Sequence, residues 1–296
     1  MPEPRHARRA IGHAVLAALL YALSIPLSKL LLGRVSGSLM AALLYLGAGL
    51  GMVLKRRLSP AGGTAQPPRR KDLPYVAAMI ALDIAAPLLL MLGLKSTLPQ
   101  TASLLNNFEI VATSLIALLF FRERISPGLW LAIGLVTAAS LLLALTPGEG
   151  LHFSAGSLLI LLAATCWGLE NNCTRMLSHL DSERVVVWKG LGSGAGALLI
   201  ALLLGDLAAN ALGLLAALVL GFVSFGLSIS LYVRAQRHLG AAKTSAFYSL
   251  APFLGVALSA VLFREAPPPL FWYGLALMAL ATWLLVRDTL RPALQA

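Results

Sequence analysis

Three carboxylates, Asp83, Glu109 and Glu170, stand in stretches that are otherwise apolar. An ionisable side chain in hydrocarbon costs about 2.5–3.5 kcal/mol on insertion scales, so such a group normally faces a cavity or a partner and marks a candidate site. Helical spacing gathers further polar and aromatic residues on shared faces. Asn106, Glu109 and Thr113 form one stripe, and Trp167, Glu170, Asn171 and Thr174 another. Tyr21, Ser24 and Ser28 form a third, Ser224, Ser228 and Tyr232 a fourth, and Thr244, Tyr248 and Pro252 a fifth. The chemistry these types suit is recognition: rings pack a flat or apolar small molecule while carboxylates or amides bind its amino group. The alternative is structural, with Asn and Glu bonding neighbouring helices and Ser and Thr bonding their own i−4 carbonyls. The candidate binding set is Tyr21, Ser24, Asp83, Asn106, Glu109, Trp167, Glu170, Asn171, Tyr232, Thr244 and Tyr248. Pro26, Pro87 and Pro252 fall inside apolar runs, where each removes a helical hydrogen bond and makes either a hinge or a static kink.

Reaction chemistry is less well served. The string from Gly190 to Gly194 holds Ser193 among glycines but lacks the GxSxG spacing, and no GxxxxGK[ST] phosphate loop occurs. His6, His13, His152, His179 and His238 show no metal-ligand spacing. Cys166 and Cys173 read as small buried apolar residues with no metal or disulfide role. No cofactor, metal or enzymatic activity is expected. A channel lined by the same stripes stays open as an alternative, as does an intramembrane enzyme.

The elements that must position these residues follow from composition. Of 296 residues only 12% are charged and 58% are hydrophobic, with a mean hydropathy of +0.84. Soluble domains carry about 25% charged residues. A helix needs about 20 apolar residues to cross the bilayer with every backbone group satisfied. Ten such runs are expected at 11–32, 37–54, 73–94, 100–121, 127–145, 155–177, 185–204, 212–233, 243–263 and 269–286. The first is longer than a signal-peptide core and is expected to remain as a helix. Residues 55–72 read as a free loop, with turn chemistry between two basic triplets.

The net charge of +11 is explained by topology. With both termini in the cytoplasm, only Lys29, Arg34, Lys95 and Arg264 fall on the far side; every other lysine and arginine, Lys189 included, counts as cytoplasmic. Basic residues spread over several strips without aromatic interleaving argue against nucleic acid as a partner. The partners expected are the bilayer and a small molecule, with a monomer as the simplest form.

The chain also repeats itself. Phe121-Arg122-Glu123 recurs as Phe263-Arg264-Glu265, with Trp130 and Trp272 following at equal distance. Tyr21, Ser28 and Lys29 recur as Trp167, Thr174 and Arg175, and the GxxxG of Gly47 and Gly51 as that of Gly192 and Gly196. These matches fall in one order at nearly one offset. They divide the chain into an N-terminal tail at 1–10, a five-helix half at 11–145, a linker at 146–154, a second half at 155–287 and a tail at 288–296. Five is odd, so the halves enter the bilayer in opposite senses, the inverted arrangement typical of secondary transporters. The expected fold is all-α and polytopic, with ten transmembrane helices in two inverted five-helix repeats.

The arrangement resembles the drug/metabolite transporter superfamily in its ten-helix EamA-type branch. Trp167-Gly168 with Arg175, the paired Phe-Arg-Glu helix ends, and the small-residue run from Lys243 to Pro252 carry the likeness over nearly the whole chain. Within that branch it looks most like bacterial inner-membrane exporters of amino acids, aromatic ones especially; drug or sugar-type carriers of the superfamily are the runner-up. The resemblance implies efflux through a central cavity lined by the first, third, fourth, sixth, eighth and ninth helices. The chain departs from the family pattern where Tyr21-Ala22 stands for Trp-Gly, and where Asn106, Asn107 and Glu109 precede Ile110 in place of a proline.

Overall fold

The computed structural model describes residues 4–58, 69–121, 126–144, 154–177, 179–239, 244, 247–267 and 269–294. Lys243, Arg122, Glu123, His152 and most of the 146–154 linker lie outside the described residues. Apart from one isolated bridge, the described regular structure is helical.

The chain begins with α1 (Pro4–Ala22) and α2 (Ser24–Leu31), which together occupy the first expected span and part only at Leu23. Pro26 supplies the reason: it has no N–H for the carbonyl of Ala22, so the ladder is interrupted there. Next come α3 (Gly37–Leu58) and α4 (Leu73–Ser96), the latter continuous through Pro87. The fourth span divides into α5 (Pro99–Leu105) and α6 (Phe108–Phe121) at Asn106 and Asn107, where the ladder tightens to i−3 bonds such as Asn107 N–H to the Leu104 carbonyl at 3.0 Å. Then follow α7 (Pro127–Ala144), α8 (Ala155–Met176) and α9 (Ser182–Leu203). The eighth span comprises α10 (Ala211–Gly221), a π-helical stretch (Phe222–Leu227) and α11 (Ser228–Leu239). The chain ends with α12 (Ala251–Phe263) and α13 (Pro269–Leu294).

Six stretches among the described residues are long and apolar enough to cross a membrane, and three shorter apolar helices accompany them. At 22 residues, α8 is about 33 Å long, but Glu170, Asn171, Asn172, Thr174 and Arg175 crowd its C-terminal half. One expectation needs correcting. Pro252 lies in the first turn of α12, where its missing N–H costs no helical bond, so it starts a helix and does not kink one.

The longest pairing is between α3 and α9, which run antiparallel. Lys55 meets Glu183 at one end, and Asp206, just beyond α9, accepts from Ser38 N at 3.0 Å at the other. Between them the backbones touch: a Cβ placed on Gly190 would lie 2.3 Å from Gly49 N. The two GxxxG pairs pack elsewhere. Gly47 and Gly51 face Leu218 and Phe222, while Gly192 and Gly196 face Ile80 and Ile84 of α4. Other neighbours are α4 with α8, α1 with α11, and α7 with α13.

Charges collect at the ends of this assembly. Glu183 binds both Lys55 and Arg234, and Asp181 binds Arg56. At the opposite end Val35 and Ala209 form an antiparallel bridge, Ser36 Oγ donates to the Asp206 carbonyl at 2.6 Å, and Lys29 Nζ donates to the Leu94 carbonyl at 2.5 Å.

Candidate functional site

The polar stripes converge on one internal cavity of about 40 Å³, room for a few water molecules. Tyr21, Trp167, Phe225, Tyr232 and Tyr248 supply its aromatic wall, and Tyr45 joins them from α3. Its polar lining is Glu109, Glu170, Asn171, Thr174 and Lys189. The rings pack as a connected set: Tyr21 lies 5.3 Å from Tyr248 and edge-on to Phe225 at 5.8 Å, and Tyr232 is edge-on to Tyr248 at 4.8 Å.

One hydrogen-bonded chain ties α8, α3, α4 and α9 behind this wall. Trp167 Nε1 donates to Tyr45 Oη at 3.2 Å, and Tyr45 Oη donates to Asp83 Oδ1 at 2.7 Å. Lys189 Nζ lies 3.2 Å from the other Asp83 oxygen and 2.8 Å from Glu170 Oε2. Thr174 donates to the remaining Glu170 oxygen. Asp83 is fully enclosed, and Glu170 and Lys189 are 1% and 5% exposed, so one ammonium is shared between two carboxylates away from solvent. A lone buried charge would be far costlier than this shared arrangement.

Glu109 is placed differently. It sits in the first turn of α6, just past the break at Asn106 and Asn107, where the N-terminal helix dipole favours a carboxylate. Its Oε1 accepts from Asn171 Nδ2 at 2.5 Å, and Asn171 Nδ2 also lies 3.4 Å from Thr113 Oγ1. No lysine or arginine among the described residues pairs with it, unlike Asp83 and Glu170.

The structure sorts the sequence candidates into three groups. Tyr21, Glu109, Trp167, Glu170, Asn171, Tyr232 and Tyr248 line the main cavity. Ser24, Asn106 and Pro252 line a smaller adjoining pocket of about 10 Å³, with Asn106 Nδ2 donating to Tyr21 Oη at 3.1 Å. Asp83 and Thr244 are fully buried outside the cavity lining. Among the serines and threonines, Ser103, Thr137 and Thr165 bond their own i−4 carbonyls, whereas Ser228 donates across to the Ala17 carbonyl at 2.8 Å. Pro26 and Pro87 are buried within α2 and α4.

Two cavity residues escape a sequence reading. Lys189, counted above with the cytoplasmic cations, is instead enclosed between two carboxylates. Its position two turns into an apolar span was the available signal. Tyr45, 1% exposed, has no polar companion at helical spacing in α3 and gives no such signal. Cys166 and Cys173 are half-buried free thiols, more accessible than expected.

Known proteins bear directly on this geometry. A solved crystal structure described only as "Crystal structure of protein" superposes with a TM-score of 0.70 at 19% identity, covering 95% of this chain and 97% of the other, a likeness of fold. An "Uncharacterized transporter" of Methanothermobacter thermautotrophicus is 27% identical over 288 residues, spanning 89% of this chain and 82% of its own. The EamA-like transporter family matches twice, at residues 8–145 and again at 154–287. These matches, with the apolar helices, point to a non-enzymatic, multi-pass membrane transporter whose partners are the bilayer and a small molecule. Matched by the family model along nearly its whole length, this chain belongs to the EamA-like transporter family.

Proposed function

We propose that the protein is a secondary carrier that exports amino-bearing metabolites, aromatic or hydrophobic amino acids foremost, by alternating access through the cavity. It would sit in a bacterial inner membrane with both termini cytoplasmic, its ten spans forming two inverted halves. Support for the halves comes from packing. The second span of one half (α3) runs antiparallel to the second span of the other (α9), as a two-fold axis in the membrane plane requires. Corresponding pairs recur: Gly47 and Gly51 of α3 pack on the eighth span, and Gly192 and Gly196 of α9 pack on the third. The family matches once in each half.

The observation that carries the substrate reading is Glu109. It is the cavity carboxylate held by an amide, with no lysine or arginine among the described residues paired to it, and it opens onto a wall of aromatic rings. An ammonium group is its natural complement, and the rings suit the body of the same molecule or add cation–π attraction. Ligand sites usually run to about 300–1,000 Å³, so a cavity of about 40 Å³ takes no amino acid whole. Loading therefore requires the lining helices to part.

Counterflow tests the reading. In liposomes preloaded with phenylalanine, tyrosine or tryptophan, labelled substrate should accumulate transiently, and Glu109→Gln should lower the rate by at least about tenfold. A channel would show no stimulation by preloading. Flux restricted to sugars, or a Glu109→Gln protein as fast as the unmodified one, would refute the assignment.

A further inference from the structure

Tyr21 lines both the main cavity and the small pocket beside it, and it is the residue their linings share. Its hydroxyl accepts from Asn106, and its ring is clamped by Phe225 and Tyr248. Both ends of the Tyr21–Asn106 bond sit at backbone discontinuities: Tyr21 is two residues before the break at Leu23, and Asn106 is itself in the break between α5 and α6. Helices bend most cheaply where the hydrogen-bond ladder is already interrupted. The pocket behind the ring is walled by Ser24, Ile25, Ser103, Asn106, Pro252 and Gly255, a mostly apolar lining with a few polar groups. Asn106 is 4% exposed, and its Oδ1 has no hydrogen-bond partner among the described residues. A buried polar atom left unpaired is rare and calls for an occupant such as water or a polar substrate group.

We infer that the pocket behind Tyr21 is the closed part of the translocation path, and that the Tyr21 ring, held by Asn106, is the gate between it and the substrate cavity. The inference rests on the alternating-access reading and adds the residue that divides the path. When the segments either side of Leu23 and of Asn106 rotate, the ring leaves its clamp and the two spaces join. The Asn106 Oδ1 then accepts from the substrate's polar end while the apolar walls of the pocket take its body. When the bond re-forms, the path is shut at this level.

Thiol accessibility tests this without any choice of substrate. With Cys166 and Cys173 changed to alanine, Ser24→Cys places a near-isosteric thiol in the pocket, and its reaction with a charged methanethiosulfonate is timed on purified protein in detergent. The thiol should react slowly behind an intact Tyr21 and at least about tenfold faster in Tyr21→Ala. In Tyr21→Phe, which keeps the ring and loses only the bond to Asn106, it should react about fivefold faster, the population shift expected from one lost hydrogen bond. Asn106→Ala, which removes the same bond from the other side, should match Tyr21→Phe and serves if the alanine variant of Tyr21 is not monodisperse. Equal labelling rates across all four proteins would overturn the gate. Counterflow by the unmodified protein is scored separately: its absence would count against the carrier reading, whereas normal counterflow with unchanged labelling would remove only the gate.

Discussion

Replacing Lys189 by methionine puts the buried charge cluster to a quantitative test. The ammonium lies 3.2 Å from an Asp83 oxygen and 2.8 Å from a Glu170 oxygen, with all three residues at most 5% exposed. At an effective dielectric of about 20, these distances correspond to attractions of about 5 and about 6 kcal/mol. Desolvation of three charges and repulsion between the two carboxylates cancel much of that sum. The net consequence of removing one member of a buried pair is typically about 3–5 kcal/mol, because the partners are left uncompensated. For a chain of this length that corresponds to a fall in unfolding midpoint of roughly 10 °C, read by thermal or denaturant unfolding of purified protein in detergent. Neutralising the carboxylates as well, in Asp83→Asn, Glu170→Gln, Lys189→Met, should recover all but about 1–2 kcal/mol, since a neutral cluster of similar volume carries no charge to desolvate. A single Lys189→Met protein within about 1 kcal/mol of the original would refute the view that this lysine holds the two carboxylates.

Three further outcomes follow from the packing and the loop contacts. Gly190→Val should lower stability by about 3 kcal/mol or prevent folding, because the new side chain meets the backbone of Gly49 and Tyr45 and forces α3 from α9; Gly134→Ala, inside α7 with open space around it, should leave stability unchanged or raise it by up to about 1 kcal/mol. At the loop between α9 and α10, the backbone N–H of Ser38 holds the Asp206 carboxyl below the usual carboxylate range. A carboxylate lowered in this way stabilises the fold at neutral pH and loses that contribution as pH drops through its folded value. Acidification should therefore destabilise the unmodified protein more than Asp206→Asn, and because Asp206 is partly exposed the neutral-pH difference should stay below about 1 kcal/mol.

Much of the architecture was legible in the sequence because lipid imposes a simple rule: long apolar runs must be helical, and polar residues within them must find one another. That rule located Glu109, Trp167 and Asn171, which share the cavity, and marked Tyr21 and Asn106, which bond across α1 and the α5–α6 break. It failed for local backbone geometry. Prolines were the visible candidates for breaks, yet α4 runs straight through Pro87, while the fourth span breaks at two asparagines and the eighth changes to a π-helix at Phe222. Helical periodicity assumes an unbroken ladder and has no means of signalling where it is interrupted.

By itself the sequence determined that this chain is helical and lives in a membrane, and which faces of its helices are polar, because hydropathy and spacing act locally. Only the tertiary structure decided which polar groups pair. Lys189, two turns inside α9, reads along the chain as an unpaired cation, and Tyr45 as one more buried ring. They become parts of a charge network because α3, α4, α8 and α9 bring residues far apart in sequence within about 3 Å of one another. The distinction between a compensated carboxylate such as Glu170 and an uncompensated one such as Glu109 lies in that packing, since electrostatic partnership depends on distance in space and not on separation along the chain.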